Sequence, residues 1–270
     1  MSSVRPLVCL GLLVCAAAPV SAQVVSESNR EAGQASASRW RIGLAVASRE
    51  GIYAGEDDRT LVFPNVSYEG ERFFWRGAQA GLHLFSRGGF VLDGYVAGRL
   101  DGVDADDFGV TELAERGIDR RLLEDRDDAA DVGMSARWRG AAGELELDAR
   151  ADVTSTSEGQ QASITYRYPF RAGGWQLTPG VGVRWLSSDL ADYYYGTLDE
   201  EIARGVVRYR PGSVTVPTAS LILMRPFAEK WLFIASAEYR RLPSALRDSP
   251  LVERDTDGGA TVMVGFSRGF

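Results

Sequence analysis

The sequence predicts an all-β protein, a transmembrane antiparallel β-barrel of about ten strands preceded by a cleaved signal peptide. Three observations carry this reading. Apolar and polar residues alternate along runs of roughly ten residues, the length of a tilted bilayer-spanning strand. Short connections between those runs alternate with long ones, which is the habit of outer-membrane barrels. The first residues form an export segment.

The 270 residues are 45% hydrophobic and 25% charged, with a formal net charge of −7. An acidic chain is poorly suited to nucleic acid, whose phosphates demand a cationic field. A mean hydropathy of −0.14 leaves no room for repeated apolar helices of about 20 residues.

Residues 1–22 read as the signal peptide. Arg5 supplies its positive start, residues 7–18 are uncharged, and Val20 and Ala22 sit at the −3 and −1 positions of a cut between Ala22 and Gln23. Both cysteines, Cys9 and Cys15, leave with it, so disulfides, thiol catalysis and zinc–thiolate sites are excluded from the mature chain. Loss of Arg5 takes the formal charge from −7 to −8. Residues 23–38, polar and rich in Ser, Ala and Glu, read as a flexible leader, and residues 39–270 as the barrel.

From Trp40 onward the period is that of a strand. Trp40, Ile42, Leu44 and Val46 alternate with Arg41, Gly43, Ala45 and Ala47. The cleanest run sets Leu145, Leu147, Ala149, Ala151 and Val153 against Glu144, Glu146, Asp148, Arg150 and Asp152. Residues 214–224 fit least well, being apolar on both faces toward their end. A soluble sandwich turns such apolar faces inward, whereas a membrane barrel turns them outward and keeps charge in its lumen. Strand length, the alternation of connections, and aromatics near strand ends (Trp175, Trp185, Tyr193, Tyr194, Tyr195, Trp231) favour the membrane.

Tight turns fall at 86–89, 140–142, 171–173 and 225–228, and long outer loops near 101–131, 187–213 and 242–258. The count is ten when residues 61–68 and 72–85 form one long bent strand. Twelve is the alternative, with an extra short strand near 51–55. Val262, Val264, Phe266 and Phe270 share one face of the last strand and read as a barrel-assembly signal, with Arg268 in a position usually apolar or aromatic.

Four motifs in serial order then resemble the MipA/OmpV family of Gram-negative outer-membrane proteins: Tyr166-Arg167-Tyr168-Pro169-Phe170, residues 177–185 (LTPGVGVRW), Asp192-Tyr193-Tyr194-Tyr195-Gly196 and Ser249-Pro250-Leu251-Val252. Weaker echoes are Tyr53-Ala54-Gly55, Arg72-Phe73-Phe74 and Asp125-Arg126-Asp127. The resemblance implies a barrel in the cell outer membrane, in contact with its lipid and lipopolysaccharide. It also implies a non-enzymatic scaffold role in peptidoglycan assembly, with murein hydrolase and synthase partners in the periplasm. Other members are associated with adhesion, osmotic response or antibiotic susceptibility. Such motifs transfer fold with more force than role.

The residues themselves offer little chemistry. His83 is the only histidine, and Ser86, three residues away, is the nearest serine for a hydrolytic site such as a lipid A deacylase or phospholipase. By alternation His83 faces the lumen. Residues 101–131 hold 12 acidic residues against four arginines, a net −8. Asp104, Asp106 and Asp107 offer hard oxygen ligands for a divalent cation, but their spacing matches no calcium loop. A solvated loop with a short helix around residues 112–123, salt-bridged by Arg116, Arg120 and Arg121, is the reading adopted. The row Glu144, Glu146, Asp148, Arg150 and Asp152 is lumenal. It either lines a narrow cation-favouring pore or pairs with Arg137, Arg139, Arg167 and Arg184 to plug the interior. No cofactor and no metal is expected.

Overall fold

The computed structural model describes residues 22–34 and 38–270. A helix, α1 (Ala22–Gln34), precedes the strands β1 (Trp40–Arg49), β2 (Arg59–Glu69), β3 (Phe73–Arg76), β4 (Gln79–Arg87), β5 (Phe90–Arg99), β6 (Ala129–Gly140) and β7 (Gly143–Asp152). Then follow β8 (Gln160–Arg167), β9 (Phe170–Ala172), β10 (Trp175–Leu186), β11 (Val214–Phe227), β12 (Trp231–Arg241) and β13 (Gly258–Gly269). Short helices α2 (Val110–Ala114), α3 (Ser188–Tyr195), α4 (Asp199–Ala203) and α5 (Ser244–Arg247) lie in the long connections.

Every strand pairs antiparallel with its neighbours, and β13 returns to β1, where the Phe270 amide donates to the Trp40 carbonyl across 3.0 Å. The barrel is therefore closed. Both β8 and β9 pair with β10 and share one place in the wall, so the wall has twelve positions. The interruption between them falls at Tyr168-Pro169, where proline has no N–H for the ladder.

Twelve is the alternative count, reached by a different route from the one expected. The run 72–85 is not one bent strand: Gly77 adopts φ +61° and folds it into β3 and β4, while β2 stands apart. Around residues 51–55 Tyr53 forms only an isolated bridge to Val252. A further consequence is that β2 pairs with β3 only over residues 67–69, leaving its upper part without a strand on that side among the described residues.

The pleat settles which way the apolar rows point. Leu147, Val264 and Phe266 are 44–49% exposed on the outer wall, while Glu144 and Glu146 opposite them are 1% and 9% exposed. The outer wall is thus the hydrophobic one, as a bilayer requires. Val262 and Phe270 join the same outward face. Two-residue turns such as Gly88-Gly89, with φ +60° and +83°, reverse the chain at the turn end. Aromatics including Trp40, Phe90, Trp138, Phe227, Trp231 and Phe270 ring that end.

The segment expected as a flexible leader is instead α1, and it occupies the lumen. Twelve strands about 4.8 Å apart and tilted about 40° enclose a wall roughly 24 Å across, which leaves space for one helix between layers of inward side chains. Smaller barrels of about eight strands are filled by side chains alone. The signal segment itself falls on residues 1–21, outside the described residues, apart from Ala22.

Candidate functional site

The lumen is the site where the charged residues meet, and α1 organises it. One side of α1 is apolar: Val24, Val25 and Ala32 pack on Ala45, Ala47, Ile222, Met224, Leu232, Ile234 and Met263. This explains why residues 214–224 were a poor fit to simple alternation. Their inward face is apolar because it receives a helix rather than water. The polar side of α1 reaches β7 and β8. Arg30 donates to Glu146 at 2.6 Å and lies 3.6 Å from Glu144. Glu27 pairs with Arg167 at 2.8 Å and Glu31 with Arg139 at 3.2 Å. Asn29 donates to Asn65 at 2.7 Å, and Ser28 to Ser236 at 3.0 Å.

The five predicted lumenal residues divide. Glu144 pairs with Arg139 and Glu146 with Arg167, each at 2.6 Å. Arg137 and Arg184 turn to other carboxylates, Asp93 at 3.5 Å and Glu238 at 3.2 Å. Asp148 accepts from the Tyr95 hydroxyl, and Arg150 reaches Gln161 at 3.0 Å and Gln23 at 3.4 Å. Asp152 departs from the row. Its carboxylate accepts from the Thr154 and Ser157 amides at 2.7 and 2.6 Å and shapes the connection after β7. A cavity of about 50 Å³ remains beside the first turn of α1, between Gln23, Tyr95, Asp148 and Arg150.

His83 faces the lumen, as alternation predicted. Its Nδ1 lies 2.6 Å from Asp93 and its Nε2 3.8 Å from Glu69, with the Phe74 ring 5.1 Å away. No hydroxyl hydrogen-bonds to it among the described residues, and Ser86 lies beyond the bulge at 83–85, exposed. The imidazole joins the lumenal hydrogen-bond lattice, linked through Asp93 to Arg76 and Arg137.

Residues 42–270 match the family described as MltA-interacting protein MipA. The chain belongs to that family. The putative outer membrane protein YiaT of Escherichia coli (strain K12) is 30% identical over 229 residues, covering 82% of this chain and 87% of YiaT. The MltA-interacting protein of the same strain is 28% identical over 221 residues, covering 82% and 86%. Outer membrane protein OmpV of Vibrio cholerae is 25% identical over 232 residues, covering 84% and 87%. These names and the hydrophobic outer wall place this MipA-family barrel in the outer membrane.

At the loop end the MipA-family chain builds a roof with its own apolar core, in which Ile52, Phe108, Leu113, Leu190, Leu246 and Leu251 are at most 2% exposed. Tyr194 and Tyr195, expected in a membrane girdle, belong to this core instead, because α3 carries them over the lumen. Ser187 caps α3 by accepting from the Leu190 amide at 3.3 Å. Arg126 is the buried anchor. It meets Glu201 through two bonds of 2.8 and 3.0 Å and donates to the Tyr193 and Gly196 carbonyls at 2.7 and 3.1 Å.

The acidic segment is part of the roof rather than a free loop. Its helical pieces are a tight turn at Ala105–Asp107, α2, and a second tight turn at Arg120–Leu122, the last two separated by Gly117 at φ +74°. Arg116 donates to the Pro250 and Val252 carbonyls, Arg120 meets Asp106 at 3.4 Å and Arg121 meets Asp119 at 2.7 Å. Burial, with help from Asp107 and Asp125, pushes the Asp104 carboxyl up, and burial does the same to Asp128. Burial also raises the Tyr53 and Tyr194 hydroxyls above their ordinary value. Among the described residues no cluster of three or more acidic or histidine side chains is arranged to hold a metal.

Proposed function

We propose that this barrel is a non-enzymatic scaffold for cell-envelope machinery, with a murein hydrolase or synthase as its periplasmic partner. The observation that carries the reading is the filled interior. α1, the lattice of Arg30, Glu146, Arg167 and Glu144, and the loop roof divide the interior into small cavities among the described residues, of about 50, 30 and 10 Å³, each with room for at most a few waters. A rigid closed body of this kind offers surfaces at its ends rather than a passage or a substrate cleft. The relative named MltA-interacting protein supports the same partner class.

The experiment is crosslinking in intact envelopes followed by affinity capture of the tagged full chain. Recovery of a murein hydrolase or synthase is expected. Recovery of neither, from envelopes in which the barrel is folded, overturns the scaffold.

A narrow small-solute pore is the second reading, favoured by one feature: β3 is only four residues long, so the wall beside β2 is thin next to the cavity at Gln23. Planar-bilayer recordings separate the two readings, since the scaffold gives no conductance above background.

A further inference from the structure

In a chain with a net charge of −7, the turn end carries the opposite sign. Arg72, Arg87, Arg171, Arg225, Lys230 and Arg268 are all exposed there, and among the described residues none of them forms a salt bridge. Lys230 is the only lysine of the protein. Two exposed side-chain carboxylates stand among these cations, Glu71 and Glu229, and the first is already shared with Arg39 at 3.4 Å.

Two of the arginines are placed where a bilayer surface lies. Arg225 on β11 is outward, since its neighbour Met224 is buried against α1. Its guanidinium sits 5.0 Å from the centre of the Trp175 ring. Arg268 on β13 is likewise outward, beside the lumenal Ser267, and lies 5.3 Å from the Phe270 ring. In register, β12 separates them: Arg225 faces Phe233 and Arg268 faces Trp231. Lys230 occupies the turn joining β11 to β12. The outer wall at this corner thus presents Arg225 and Arg268 over a floor of Trp175, Phe227, Trp231, Phe233 and Phe266, with Phe227 and Phe233 each in ring contact with Phe266, and Lys230 exposed in the adjoining turn.

Aromatic rings of a barrel girdle sit at the level of lipid headgroups. A cation at that depth meets phosphate oxygens, and guanidinium holds a phosphate with two parallel bonds. We propose that Arg225, Lys230 and Arg268 form a binding site on the outer wall for the headgroup of an anionic phospholipid in the leaflet at the turn end, its acyl chains lying along Phe233 and Phe266. Arg268, which broke the apolar pattern of the last strand, is explained as the second arm of this clamp.

The test uses the full-length folded protein in vesicles of phosphatidylcholine containing a minor fraction of spin-labelled phosphatidylglycerol or spin-labelled phosphatidylcholine. Several-fold preference of the protein-associated component for phosphatidylglycerol is expected in the parent chain. The preference falls to near unity in R225Q/R268Q and is kept in R208Q/R254Q, which removes two exposed arginines at the loop end. Heat-modifiable gel mobility confirms that each variant is a closed barrel. If R225Q/R268Q does not close, R225K/R268K is used, with a partial loss expected because ammonium cannot make the paired bonds. Excess inorganic phosphate at constant ionic strength leaves the preference in place if the ligand is lipid. Displacement by free phosphate, equal association of the two lipids with the parent chain, or a closed R225Q/R268Q barrel with undiminished preference overturns the proposal.

Discussion

Arg30 and Glu146 are 116 residues apart in sequence and 2.6 Å apart in the lumen, and both are nearly inaccessible to solvent. This pair locks the polar side of α1 to the wall while Val24 and Val25 hold the other side. The charges are expensive to bury, so their value lies in orientation: Glu146 also has Arg167 on the wall, but Arg30 meets Glu146 and Glu144 only when α1 is seated in one register.

Removing one partner takes away a close counter-charge of the other, leaving Glu146 to Arg167 and Arg30 to Glu144, a loss of at most about 3–5 kcal/mol, the cost of breaking a buried pair. Arg30→Met and Glu146→Gln are therefore expected to speed amide hydrogen exchange in α1 by orders of magnitude while the strands of the wall keep their protection. Combining the two substitutions should cost less than the sum of the single changes, because the partners belong to one interaction. Unchanged exchange in both single variants would show that α1 is held by its apolar side alone.

The apolar side makes a separate prediction. Ile234 is 1% exposed beneath α1, whereas Ile164 is 50% exposed on the outer wall. Ile234→Ala opens a cavity between helix and wall and is expected to destabilise by about 2–5 kcal/mol. Ile164→Ala leaves no cavity, since lipid fills the space, and its effect on denaturant midpoint should be clearly smaller. Equal effects of the two would contradict the burial of Ile234 by α1.

How much of this was legible in the residues follows from what each period records. Rows such as Leu145 and Leu147 against Glu144 and Glu146 report a wall with one apolar and one polar face, and the fold is read directly from them. Strand number was less legible because the aromatic run from Phe73 to Trp75 continues the pattern across Gly77, whose positive φ is a property of the backbone and leaves no trace in hydropathy. The seating of α1 was written in the wrong place to be noticed. Its own sequence is polar and short, but Ile222, Met224, Leu232, Ile234 and Met263 put apolar groups where a lumen should be wet. Such a patch on an inward face is the signal that something covers it. The roof was hidden for another reason: the acidic residues of 101–131 dominate its composition, while its core is assembled from single residues of several connections, such as Ile52, Leu113, Leu190 and Leu251.

The roof also sets an alkaline limit. Tyr53 donates to the Tyr194 carbonyl at 3.0 Å, and Tyr194 donates to the Asp127 carbonyl at 3.0 Å. Burial, then the neighbouring Tyr195 and Glu56 for Tyr53 and Asp101 for Tyr194, hold both hydroxyls protonated beyond the ordinary tyrosine range. A folded-state pKa above the unfolded value means that the stabilisation is fully present below about 10 and is lost as pH rises toward the folded value. Absorbance titration at the tyrosinate band is expected to show two classes. The roof tyrosines Tyr53 and Tyr194 should form the late class, ionising only as protease sensitivity of the long connections appears. Ionisation of all tyrosines in one step near pH 10 with the roof intact would contradict this.

The cut expected between Ala22 and Gln23 would give α1 a further role, because it would make the first turn of the lumenal helix the beginning of the mature chain. Gln23 lies beside Arg150 and the cavity that Asp148 and Glu27 border. The new α-amino group would add its charge to the positive end of the helix dipole, and Glu27 and Asp148 are the carboxylates placed to receive it. Protein purified from outer membranes is expected to have the intact mass of residues 23–270, or that mass less ammonia if the terminal glutamine has cyclised. With a free amine, a bulky amine-directed reagent should fail to label the terminus of the folded barrel and label it fully after heat unfolding, while Lys230 at the turn end reacts in both states. A mass that retains residues 1–22, or rapid labelling of the terminus in the closed barrel, would show that the seated helix does not begin the mature chain.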